Sequence, residues 1–172
     1  VEDAVAAGEL EGEELETWAA LATVLEWLPV ALDAQLQADA GITHFEYGVL
    51  YALAQASEGT LRMSVLAGYA NGTLSRLSRA VTRLERRGWV RRAPDPADGR
   101  ATLAILTEEG REMVRMATPG HVDTVRRLVL DRLSRSQARQ LRAITGRLTQ
   151  GIEEDGAHEA GVVARRWEPS AD

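Results

Sequence analysis

Between Thr73 and Arg100 the chain carries side chains whose chemistry suits phosphates and base edges. Leu74, Leu77, Val81 and Leu84 recur at steps of three and four, which places them on one side of a helix. Ser75, Arg76, Ser78, Arg79, Thr82, Arg83 and Arg86 then share the other side. Short hydroxyls hydrogen-bond phosphate oxygens, and a forked guanidinium binds either a phosphate or the acceptor edge of guanine through two parallel bonds. An ordinary solvated basic helix has the same composition, so the flanking elements must decide between the two readings.

Those elements form a recognisable order. Ser64 begins a two-turn helix over 65–70, Asn71-Gly72 is a turn signal, and the arginine-bearing helix follows from Thr73 or Leu74; short helix, tight turn and longer polar-faced helix is the helix-turn-helix order. After Gly88 come two β-capable runs, 89–93 and 101–106, separated by Pro94-Asp95-Pro96-Ala97-Asp98-Gly99-Arg100, which predicts a hairpin. In its second strand Leu103 and Ile105 are expected on the core face. Arg91 and Arg92 in the first strand, and Asp98 and Arg100 at the turn, join the nucleic-acid-facing set that starts at Thr73.

Upstream, residues 1–12 lack periodicity and are read as a flexible leader, and helical steps of Leu and Trp run through 13–37. Pro29 is expected to kink that helix without ending it, because the pattern resumes in phase at Leu32. Trp18 and Trp27 are read as packing surfaces on it. Gly41 ends it, and Thr43-His44-Phe45-Glu46 has the form of a capping box that opens a second helix ending near Gly59. Leu61-Arg62-Met63 is expected to form a very short strand. Downstream, Thr107 caps a helix that Pro119-Gly120 should bend or briefly break, and Ser134 to Gln137 is a second capping box opening the last helix. The domain spans 13–152, and a tail over 153–172 carries Val162, Val163 and Trp167 as its apolar residues.

Composition narrows the classes. The 172 residues, 45% of them hydrophobic, suffice for one substantial core. The absence of cysteine excludes disulfides and thiolate metal sites. No uninterrupted apolar run approaches the roughly 20 residues of a membrane span, so a cytoplasmic protein without a membrane partner is expected. The net charge of −6 is unevenly spread: residues 60–100 hold nine arginines against Glu85, Asp95 and Asp98, which makes the positive field local. His44, His121 and His158 are scattered, and there is no His-Glu-x-x-His, phosphate-binding glycine loop or Gly-x-Ser-x-Gly elbow. An enzyme, a cofactor and a metal are not expected.

Three stretches in register resemble a known family. They are Ser75-Arg76-Leu77-Ser78-Arg79 with 83–92 (Arg-Leu-Glu-Arg-Arg-Gly-Trp-Val-Arg-Arg), then Asp95-Pro96-x-Asp98-x-Arg100, then Leu106-Thr107-Glu108-x-Gly110. In this order and spacing residues 42–110 resemble the winged helix-turn-helix module of the MarR (multiple antibiotic resistance regulator) family, with Ala97 a departure where members often carry a polar or basic residue. The resemblance implies a mainly α fold with a small β-wing and a homodimer joined by N- and C-terminal helices, here about 13–37 and 107–152. It also implies a repressor that binds a pseudo-palindromic double-stranded DNA operator and is released by a small aromatic effector. Under it Arg100 enters the minor groove, Asp98 braces Arg100, and the effector crevice involves Trp27, His44 and Tyr47. The apolar stripes of the outer helices independently favour a partner chain. A dimeric protein-interaction module, or a constitutive regulator without an effector, is the alternative.

Overall fold

The computed structural model describes residues 9–69 and 73–155. Helix α1 (Gly12–Ala40) is followed by α2 (His44–Gln55), a 3-10 turn, β1 (Thr60–Arg62), α3 (Met63–Tyr69) and α4 (Leu74–Arg86). The hairpin β2 (Val90–Asp95) and β3 (Asp98–Leu106) leads into α5 (Glu108–Leu128), a second 3-10 turn and α6 (Arg135–Glu154). The leader up to residue 8, the Asn71-Gly72 turn and the apolar residues of the tail lie outside the described residues.

Local chemistry sets most boundaries. At the end of α1, Gly41 takes φ 64°, with its N–H on the Gln37 carbonyl and the Ile42 N–H on Leu36. This is the paired-bond stop that a glycine in the left-handed region permits. Both halves of each capping box form: Thr43 Oγ1 accepts the Glu46 N–H while Glu46 Oε2 accepts the Thr43 N–H, and Ser134 and Gln137 repeat the exchange. Thr107 Oγ1 accepts the Gly110 N–H and caps α5.

The three strands are antiparallel in the order β1-β3-β2. Val90 lies opposite Leu106, and a bulge at Pro94/Asp95 ends the ladder at Asp95 opposite Asp98. The core face of β3 is the reverse of that expected: Ala104 and Leu106 are buried, whereas Leu103 and Ile105 are half-buried on the other face. Pleating makes the two assignments mutually exclusive, and the small Ala104 suits the close side of the sheet. Around these two residues lie Leu36 and Ile42, Val49, Leu50 and Leu53 of α2, Leu66 of α3, Leu77, Val81 and Leu84 of α4, and Val114 of α5. Leu74 departs from the expected stripe and is 56% exposed in the first turn of α4; Ala80 is buried with the three residues that remain.

The outer helices behave differently. Helix α1 passes through Pro29 and α5 through Pro119-Gly120 without a break. On α1 only Leu32 and Leu36 are buried, so the expected packing of Trp18 and Trp27 is not made among the described residues. Helix α6 buries none of its residues, and Leu141, Ile144, Leu148 and Ile152 are exposed along it. By length and mean hydropathy, α1 is also apolar enough to cross a membrane, which a search for uninterrupted apolar runs overlooks. Two facts oppose that use. Glu26 and Asp33 lie inside it, and an Asp at a bilayer centre costs about 2.5–3.5 kcal/mol. Moreover, Asp33 Oδ1 accepts the His44 N–H at 2.8 Å, which ties α1 to the folded module.

Candidate nucleic-acid interface

Helix α4 is tethered on its inner side and bare on its outer side. Thr73 caps it, its Oγ1 accepting the Arg76 N–H at 3.3 Å and lying 3.1 Å from Ser75 Oγ. The side chains of Arg79, Arg86, Arg91 and Arg100 are exposed and have no hydrogen-bond or ion-pair partner among the described residues. Four solvated guanidiniums on α4 and the wing are a cationic surface ready to replace counterions around a polyanion.

Other residues of the expected contact set have partners inside the chain. Arg83 Nε donates to Glu46 Oε1 at 2.6 Å, and the Arg76 guanidinium lies over the Phe45 ring at 4.2 Å. Arg92 turns back onto α4: one Nη2 donates to the Ser78 carbonyl at 2.8 Å and to Thr82 Oγ1 at 2.7 Å, and its backbone N–H meets Glu85 at 3.0 Å. Its Nε is buried 3.4 Å from Glu85 Oε2 without hydrogen-bond geometry. Thr82 in turn donates to Ser78. Arg92 and Thr82 are therefore a clamp between wing and helix in this structure, a use that the outward basic pattern did not announce. At the wing tip Asp98 Oδ1 accepts the backbone N–H of Arg100, so the bracing acts on the turn and leaves the guanidinium unpaired.

Three contributors were not singled out beforehand. Glu46 was recognised as half of a capping box, but one carboxylate oxygen completes the cap while the other holds Arg83. Burial pushes its carboxyl up, and the Thr43 amide and Arg83 overcome that push, leaving it below the ordinary glutamate value. Phe45 supports Arg76. Asp95, also buried, receives the Ala97 N–H at 2.8 Å and Arg62 Nε at 2.6 Å, tying the wing to β1. For Glu46 and Asp95 the sequence signal was an acidic residue at a position where burial without a partner is costly.

A cavity of about 590 Å³ opens beside α4, lined by Pro29 and Asp33 of α1, the Thr43 to Phe45 turn, and Arg76, Arg79 and Arg83 of α4. Of the three residues expected at an effector crevice, His44 lines it. Tyr47 is buried outside its lining, its hydroxyl 3.0 Å from Thr118 Oγ1. Trp27 is 72% exposed and is not part of the wall. The His44 and His121 rings stand 5.5 Å apart, with Tyr47 4.6 Å from His121. Burial lowers both imidazole pKa values; Asp33 opposes the shift at His44, and His44 adds to it at His121.

A helix-turn-helix whose second helix runs into an antiparallel hairpin defines the winged-helix class of transcription regulators. A model of the MarR family matches residues 40–101. Over longer spans the chain is 46% identical to Sco3205 of Streptomyces coelicolor, a MarR family transcriptional regulator whose crystal structure is a complex with DNA. The match covers 84% of this chain and 94% of that one, with a TM-score of 0.81. AbsC of Streptomyces coelicolor, also a MarR family regulator, is 32% identical over 85% of this chain and 98% of its own, with a TM-score of 0.80. The HTH-type transcriptional regulator PecS of Dickeya dadantii (strain 3937) is 35% identical over 78 residues, 45% of this chain and 46% of PecS. The chain thus spans about half the length of the curated relatives it matches. The chain belongs to the MarR family, whose members are regulators and not enzymes.

Proposed function

We propose that this chain is a DNA-binding transcriptional regulator that represses as a homodimer on a pseudo-palindromic operator. The observation that carries the reading is the unpaired cationic surface of α4 and the wing, Arg79, Arg86, Arg91 and Arg100, on a chain otherwise acidic. In the proposed complex α4 enters the major groove, with Ser75 and Ser78 alongside its arginines, and Arg100 reaches the minor groove, whose negative potential favours a guanidinium. The uncovered stripes of α1 and α6 supply the dimer contact, since burying a large aliphatic side chain is worth about 1.5–3 kcal/mol. Two copies then set their α4 helices about one DNA turn apart.

Release is assigned to an aromatic acid in the cavity beside α4. The volume suits a small ligand, the guanidiniums suit a carboxylate, and the rings of His44 and Phe45 suit an aromatic face. Such a ligand acts only through preference for the conformer that does not bind DNA. The test is selection of bound fragments from the source genome, followed by titration of the enriched duplex with wild type and Arg79→Ala, and sedimentation of the free protein. Enrichment of an inverted repeat, weaker binding by Arg79→Ala and a dimeric mass are expected. An absence of enrichment, or equal binding by the variant, overturns the assignment.

A further inference from the structure

The three arginines of α4 that border the cavity are not equivalent. Arg83 is held by Glu46 and Arg76 by Phe45, adjacent residues in the first turn of α2, whereas Arg79 between them has no partner among the described residues. Arg76 is the third residue of α4, in the turn that a recognition helix directs at base edges. An arginine there has a long side chain with many rotamers, so its direction must be set by something outside α4.

Phe45 is suited to set it. Its ring is half-buried and packed against the core cluster, so it is fixed by the interior. The guanidinium lies 4.2 Å above its centroid, within the range where the negative face of an aromatic ring attracts a cation. The ring is the fixed member of the pair and the arginine the movable one. We propose that Phe45 is a positioning residue for base reading: it directs the Arg76 guanidinium, so that preference at the base pair read by Arg76 is encoded partly in α2. This inference rests on the DNA-binding reading above.

The experiment uses the full chain and a duplex library with a randomised centre. The duplex enriched by wild type is remade with every single-base change and titrated with wild type, Phe45→Leu, Phe45→Tyr, Arg76→Ala and the Phe45→Leu/Arg76→Ala double variant. Phe45→Leu is expected to flatten discrimination at the same base pair as Arg76→Ala by about two- to fivefold, with other positions and the salt slope unchanged. Phe45→Tyr, which keeps a ring face, retains the wild-type preference, and the double variant is no worse than Arg76→Ala. If Phe45→Leu fails to fold, Phe45→Met fills a similar volume without a ring face and takes its place. Uniform weakening across all duplexes, or a double variant whose losses add, overturns the inference alone. Failure of wild type to enrich any duplex overturns the DNA-binding reading and this inference with it.

Discussion

Arg83 Nε and Glu46 Oε1 are 2.6 Å apart although 37 residues separate them in the chain, and the carboxylate is the buried member while the arginine side chain is half exposed. The bond runs from the start of α2 to the third turn of α4. Removing the arginine therefore strands a buried anion, whereas removing the carboxylate frees a cation that water reaches. Arg83→Ala is expected to lower stability to urea by about 1–3 kcal/mol, toward the lower end because Arg83 is half solvated. Glu46→Gln/Arg83→Ala should cost less than the sum of the single changes, and strict additivity would show that the pair contributes nothing.

The same carboxyl gives an acid limb. Its pKa is held below the ordinary value in the folded chain, so its contribution is present above the unfolded-state pKa and is lost as pH falls through the folded one. Arg83→Ala removes one of the groups lowering it. Acid unfolding followed by circular dichroism should then begin at a higher pH in the variant than in wild type.

His44 and His121 act at milder acidity. Burial depresses both, so in the window below the ordinary histidine value the unfolded chain takes up protons that the folded chain refuses. Stability should fall from pH 7.5 toward pH 5.5, about one unit either side of that value. Their surroundings are Asp33 and Gln35 of α1, Tyr47 of α2 and, across the cavity, the arginines of α4. His121→Gln should flatten the dependence of melting temperature on pH over this interval; an unchanged slope would show that His121 does not contribute to it.

Arg92 and Arg79 separate stability from salt dependence. Arg92 is occupied by Ser78, Thr82 and Glu85, and Arg79 has no partner among the described residues. Arg79→Ala should reduce the slope of log affinity against log salt by about one while leaving unfolding unchanged. Arg92→Ala should do the reverse, lowering stability by about 1–3 kcal/mol with the slope intact. Anisotropy titrations at several salt concentrations, paired with urea unfolding, read both quantities.

Those two arginines also mark how far sequence reasoning reaches. Features decided within a few residues were legible: the cap at Thr43, the stop at Gly41, the hairpin around Asp95 to Asp98, and the apolar face Leu77, Val81 and Leu84. Side-chain partners from other elements were not, since nothing local to Arg83 or Arg92 distinguishes an arginine held by Glu46 or Ser78 from one left in solvent. Strand facing failed for a related reason. Over Thr102 to Leu106 the apolar residues do not alternate cleanly, so larger side chains at Leu103 and Ile105 outweighed the buried Ala104. On α1, Trp18 and Trp27 were read as packing surfaces whose cover the described residues do not provide.

Glycines give a test with opposite signs. A Cβ at Gly110 would stand 2.1 Å from the Trp89 carbonyl oxygen, whereas one at Gly48 meets nothing within 4 Å. Gly48→Ala should stabilise by about 0.5–1 kcal/mol through helix propensity. Gly110→Ala should destabilise by about 1–3 kcal/mol or more despite the same propensity gain. Equal melting temperatures for the two variants would contradict the close approach.

That approach has a mechanical meaning. Gly110 lets the first turn of α5 rest against the backbone of residue 89, while the Thr107 N–H bonds the Trp89 carbonyl at 3.0 Å and Thr107 Oγ1 the Gly88 carbonyl at 2.6 Å. The long outer helix is thereby fastened to the chain two and three residues past the end of α4. A tilt imposed on α5 is passed directly to the segment that joins α4 to the wing, as by a crank.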